Sequence, residues 1–181
     1  MSDRLEIRLA GMGGQGMILA GVLLADAAVR DGKNAVQTQS YGPEARGGAS
    51  RSEVILASES IDYPEVIEAD VLLCMSQQAC DKYAHQLKRN GLLIVDSGHV
   101  QRMPTTRAVR ADLTAWAKEA TGRAITANVL ALGFLVGLTG VVSREALRET
   151  VLARAPAGTQ EVNLQALERG FSEAEALRAG G

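Results

Sequence analysis

The chain has 181 residues, 46% of them hydrophobic and 22% charged, with nineteen basic against twenty-one acidic side chains. That length suffices for one globular unit with a proper core, and the near-even charge leaves no basic stripe to displace counterions from nucleic-acid phosphates. Only 3% of the residues are aromatic, so the core must be built from Ala, Val, Leu and Ile.

The N-terminus, "MSDRLEIRLAG", lacks the basic region followed by an apolar one that marks a signal peptide. Residues 5–10 read as a first strand running into "GMGGQG" and then a helix over 17–33, with Ile18, Val22, Ala25 and Val29 on one face and Leu19 and Leu23 beside them. Asp31-Gly32 closes that helix. Further strands are expected at 34–39, 50–58, 69–75 and 91–97, with an amphipathic helix between the last two and a short strand near 106–113. The run "ADVLLCM" is apolar throughout, the pattern of a parallel strand buried on both faces. Helices are expected at about 112–121, 127–138, 143–154 and 161–178. The longest apolar stretch, "NVLALGFLVGLTGVV", is too short and too interrupted by Gly, Asn and Thr to span a membrane. The expected fold is therefore α/β and Rossmann-like, with a mostly parallel sheet flanked by helices and a helical C-terminal part. One domain is expected over 1–181, its sheet core at about 5–111 and its C-terminal helices at about 112–178, in a cytoplasmic protein.

Gly11, Gly13 and Gly16 fit G-x-G-x-x-G between a strand and a helix, with Gly14 inside the turn. Such a turn lets the backbone approach a phosphate at the helix N-terminus, or it lets the helix pack closely on the sheet. The second half of a nicotinamide fingerprint is missing, because the second strand ends in Gln37, Thr38, Gln39 and Ser40, with no acid for the ribose. A P-loop is excluded, since Met17-Ile18 stand where Lys and Ser/Thr belong. His85 and His99 have no evident nucleophile or metal partner, and Cys74 and Cys80, spaced C-x5-C, fit no zinc or cluster run. No catalytic residue and no metal ligand are assigned.

The loop "QSYGPEARGGAS", rooted at the same end of the sheet as the glycine turn, is harder to dismiss as solvated filler. Ligands of open α/β sheets bind at that edge. Gly47-Gly48 allow close backbone approach, Arg46 and Arg51 supply forks for phosphate or carboxylate, and Ser40 and Tyr41 stand at its root. Together, "IRLAGMGGQGMILAG", "QTQSYGPEARGGASRSEVILA", "IDYP", "ADVLLCMSQQA" and "LIVDS" resemble the gamma subunit of 2-oxoacid:ferredoxin oxidoreductases over roughly residues 5–140. The loop is more similar to the 2-oxoglutarate type than to the pyruvate type.

That resemblance implies oxidative decarboxylation of a 2-oxoacid to an acyl-CoA. Thiamine diphosphate, magnesium and [4Fe–4S] clusters are then expected on partner subunits, and ferredoxin as electron acceptor. Partners would be alpha and beta subunits, with a ferredoxin-like delta subunit as a further candidate; neither nucleic acid nor membrane is expected. Gly11, Gly13, Gly14, Gly16, Ser40, Tyr41, Arg46, Gly47 and Gly48 would then serve coenzyme A or a partner subunit, two readings the sequence leaves open. Also open is whether Gly133 and Gly137, four apart on one helix, admit a partner's helix or an internal one. A free-standing NAD(P)-binding domain and a nucleotide-sensing module are the alternatives.

Overall fold

Three apolar runs, LEIRLA, DVLLC and LLIVD, become the centre of a six-stranded sheet in the computed structural model, which describes residues 3–42, 48–104 and 107–181. These runs are β1 (Leu5–Met12), β4 (Ala69–Cys74) and β5 (Leu87–Asp96). With β2 (Asn34–Ser40), β3 (Ala49–Ala57) and β6 (Val109–Ala111) the order is β2-β3-β1-β4-β5-β6. The pairings of β1 with β4, β4 with β5 and β5 with β6 are parallel, while β3 is antiparallel to both β1 and β2. The sheet is thus mixed: β2 ends at Ser40 and β3 starts at Ala49, a connection too short for the crossover that a parallel neighbour requires.

One face of the sheet carries α1 (Met17–Arg30), α3 (Leu113–Thr121), α4 (Ala127–Thr139), α5 (Arg144–Arg154) and α6 (Gln160–Ala179), whose apolar side chains join those of β1, β3 and β4 in one cluster. The other face holds a smaller cluster under α2 (Gln77–Tyr83), including Leu72, Cys74, Cys80, Tyr83 and Val95. Helices α3 to α6 begin and end within a residue of the expected bounds. The helix after β4 does not: α2 stops at Tyr83, passes through a 3₁₀ turn at Ala84–Gln86, and β5 starts at Leu87. Leu87 pairs with Ala69 across a bulge and packs against Ile55, Val66 and Ala69, a burial that extended backbone provides.

Helix α1 turns a different face inward from the one its Ile and Val residues suggest. Met17, Ala20, Gly21, Leu24, Ala27 and Ala28 are buried together with Leu23, the one fully inward residue of the expected set, whereas Leu19 and Val29 are exposed. The small side chains let α1 lie almost on β3, and a Cβ on Gly21 would stand 1.9 Å from Ser52 Oγ. Contact distance decides here over hydrophobic size. Helix α4 is buried on every side from Ala127 to Gly137. A Cβ on Gly133 would meet the Leu167 carbonyl at 2.5 Å and one on Gly137 would meet Ala174 Cβ at 2.6 Å, so the two glycines admit α6 of the same chain. No helix among the described residues is long and apolar enough to cross a membrane.

Candidate functional site

The antiparallel insertion of β3 leaves β1 and β2 running in the same direction, so the C-terminal ends of β1, β2, β4 and β5 share one edge of the sheet. The glycine turn lies at this edge between β1 and α1. Gly11 is still in the strand, paired with Ser50 of β3. Gly14 and Gly16 have φ of 90° and 76°, the left-handed region that L side chains disfavour. The turn needs both: the first opens to solvent, and the second is the N-cap of α1.

Two side chains that the motif does not mention hold this turn. Gln15 Oε1 accepts from Met12 N–H (2.7 Å), and Gln15 Nε2 donates to the Met75 carbonyl (3.0 Å), tying the end of β1 to the end of β4. Asn128, at the start of α4, donates from Nδ2 to the Gly16 carbonyl (3.3 Å). A Cβ on Gly16 would lie 2.5 Å from that nitrogen. Gly16 therefore packs against α4, while a Cβ on Gly14 would meet nothing within 4 Å. The first turn of α1 has no side-chain cap and no acidic residue of its own to oppose an anion at its N–H groups.

The second predicted segment meets the turn where β3 begins, and Ser50 Oγ there donates to the Gly11 carbonyl (3.4 Å). Gly13 N–H donates to the Gly48 carbonyl (3.1 Å), where β3 begins. Gly48 is buried, whereas Ser40 ends β2 and Tyr41 stands outward with 68% of its surface exposed. In sheet order Ser40 and Tyr41 lie two strands away from Gly11, roughly 10 Å at ordinary strand spacing. Arg46 and Gly47 lie outside the described residues.

A cleft of about 170 Å³ opens beside the turn, lined by Gly14, Gln15, Met75, His99, Thr114 and Ile125 among others. His99 is not an isolated surface histidine. Its Nδ1 lies 2.7 Å from Oδ2 of Asp96, a fully buried carboxylate at the end of β5 that also accepts from the Thr114 hydroxyl and, at 3.4 Å, from the Thr114 N–H. Asp96 thus anchors the first turn of α3 and orients the imidazole over the cleft. The i,i+3 spacing in "DSGH" was visible in the sequence, but its burial and the Thr114 partner, eighteen residues away, were not.

For a dinucleotide ribose, an acid beside β2 is Glu53, its carboxylate 3.5 Å from Thr38 Oγ1. That carboxylate is buried and already bound by Arg8 at 2.7 Å, and Arg8 is itself buried, donating to Gln86 and to the Val66 carbonyl. It is a structural ion pair, already committed to Arg8 and, at 3.5 Å, to Arg51. No group of three or more His, Cys, Asp or Glu among the described residues could hold a metal ion. Cys74 and Cys80 are buried. A hydrogen bond between the two thiols separates them, pushing Cys74 well above the ordinary thiol range and Cys80 below it.

Residues 6–173 match the family described as pyruvate ferredoxin/flavodoxin oxidoreductase. The 2-oxoglutarate synthase subunit KorC of Methanocaldococcus jannaschii is 49% identical over 179 residues, covering 96% of either chain. The crystal structure of the keto/oxoacid ferredoxin oxidoreductase gamma subunit from Geobacter sulfurreducens PCA superposes with a TM-score of 0.87 at 48% identity, over 97% of this chain and 98% of that one. The 2-oxoglutarate:ferredoxin oxidoreductase from Magnetococcus marinus, with 2-oxoglutarate, coenzyme A and succinyl-CoA bound, shares the fold. Its TM-score is 0.84 at 22% identity, and the match covers 97% of this chain but 32% of that one.

Proposed function

The chain belongs to the pyruvate ferredoxin/flavodoxin oxidoreductase family, and on that premise we infer that it is the gamma subunit of a 2-oxoglutarate:ferredoxin oxidoreductase. The observation that carries this reading is near-complete mutual coverage at 49% identity with a 2-oxoglutarate synthase subunit. Such an enzyme decarboxylates its 2-oxoacid oxidatively and forms an acyl-CoA. A free-standing dehydrogenase is disfavoured by the same end-to-end match and by the missing ribose acid.

Oxidative decarboxylation calls on thiamine diphosphate with magnesium and on iron–sulfur clusters, and the clusters do not fit this chain. A [4Fe–4S] cluster asks for four thiolates, and the sequence has two cysteines, both buried. In our reading those groups reside on alpha and beta subunits, and ferredoxin accepts the electrons there. The gamma chain, folded as one domain, contributes the coenzyme A side and assembly. What supports this is a helix N-terminus with no acid in its own first turn, an accessible Gly14, and the Gly13–Gly48 bond that roots the arginine-bearing loop at the same place. Gly11, Gly13, Gly14, Gly16, Ser40, Tyr41, Arg46, Gly47 and Gly48 are the proposed contact set.

Arg46→Ala in the assembled enzyme is the test. One charge-assisted hydrogen bond to a phosphate contributes about 1.5–3 kcal/mol, so the KM for coenzyme A should rise about tenfold or more while that for 2-oxoglutarate stays put. Unchanged kinetics in a fully assembled variant would remove Arg46 from the coenzyme A site.

A further inference from the structure

Between β3 and β4 the chain runs through "SESIDYPEVIEA", residues 58–69, without helix or strand before Ala69, yet it is tied down along its length. Asn34 Nδ2 donates to the carbonyls of Ser58 and Glu59 (3.0 and 3.1 Å). Arg4 donates to those of Tyr63 and Glu65 (2.7 and 3.0 Å), and the buried Arg8 to that of Val66 (2.9 Å). Val66 is sunk into a small cluster with Ile55 and Ala69. These anchors hold Tyr63 and Ile67 outward, 53% and 68% exposed, next to a cleft of about 310 Å³ between Pro64-Glu65 and the polar residues of edge strand β2.

Over residues 58–70 the charges are Glu59, Asp62, Glu65, Glu68 and Asp70, with no Lys or Arg. Lys88 neutralises Asp70, and Glu65 accepts from the Tyr63 hydroxyl. The carboxylates of Glu59, Asp62 and Glu68 are exposed and have no partner among the described residues. An ordered, acidic segment presenting an aromatic and an aliphatic side chain is preorganised for docking, because little entropy remains to be lost on binding. Its charge also chooses the occupant. A second copy of this surface, a nucleic acid, an anionic membrane and an acidic electron carrier would all be repelled; a basic protein surface would be attracted.

We propose that the 58–68 loop is the docking surface for a partner subunit of the oxidoreductase, whose matching face presents Lys or Arg side chains around an apolar pocket for Tyr63 and Ile67. The proposal rests on the gamma-subunit reading, and it fits the Magnetococcus marinus chain, where the same fold is joined to about twice its own length of further polypeptide. The test is reconstitution with the other subunits of the same enzyme, following affinity and amide hydrogen exchange.

Exchange in residues 59–68 of the wild-type chain should slow on assembly. Tyr63→Ser with Ile67→Ser should raise the dissociation constant about tenfold or more. Glu59→Lys with Glu68→Lys should slow association and flatten its salt dependence. All four side chains are exposed, and unchanged thermal melts of the isolated variants would show that folding is preserved. Wild-type assembly with unprotected amides in 59–68, or variants that assemble like wild type, would overturn the surface alone. Failure of the wild type to assemble at all would overturn the subunit reading and this surface with it.

Discussion

Replacing Gly16 by Ala tests how the glycine turn is held. Two costs can be read from the structure. At φ 76° an alanine sits in the left-handed region, which costs about 1–2 kcal/mol. Its Cβ would also stand 2.5 Å from Asn128 Nδ2 and 2.9 Å from Cγ, so the amide must swing away and give up its bond to the Gly16 carbonyl, a loss of about 1 kcal/mol. The expected total is about 2–3 kcal/mol, measured as a shift in the urea midpoint at constant slope. Asn128→Ala removes the obstructing amide, so in the double variant the contact part disappears and the left-handed part remains. The double-mutant cycle should therefore show about 1 kcal/mol of coupling. Strict additivity of the two substitutions would refute the claim that α4 seats the turn through Asn128.

Three further outcomes are expected. Gly170→Ala should destabilise the chain by about 3 kcal/mol, because its Cβ would fall 2.2 Å from the Leu130 carbonyl and 2.7 Å from the Phe134 nitrogen, both backbone atoms; an unchanged melting temperature would contradict the packing of α6 on α4. Arg8→Met should cost about 3 kcal/mol in denaturant titration, since it leaves the buried Glu53 carboxylate with only its longer contact to Arg51 (3.5 Å), and removing both charges together should cost less than removing Arg8 alone. In alkylation followed by peptide mass mapping, Cys80 should react before Cys74, its rate rising with pH through a midpoint below the ordinary thiol range, because the hydrogen bond from Cys74 favours the Cys80 thiolate; equal rates would contradict that coupling.

The features that were legible in the sequence are local ones. Strand, glycine turn and helix follow one another between Leu5 and Arg30, and α3 to α6 announce themselves by their own periodicity. Side chains that act across long sequence distances were hidden: Gln15 reaches the end of β4 and Asn128 comes from 112 positions downstream. The inward face of α1 was misjudged because apolar size pointed to Val29, whereas close packing against Ser52 selected Gly21 and the alanines. The antiparallel β2–β3 pair could have been inferred from the shortness of the connection between the two strands. For His99 the sequence showed the aspartate three residues before it but not that Asp96 is buried, which is what fixes the imidazole at the cleft.

Reconstitution with and without this chain tests the central claim most directly. The other subunits of the enzyme are mixed with or without it, and reduction of a viologen dye is followed with 2-oxoglutarate and coenzyme A as substrates. The gamma-subunit reading predicts a stable complex on gel filtration and CoA-dependent 2-oxoglutarate oxidation that requires the chain. A complex that forms and turns over equally well without it would contradict the reading.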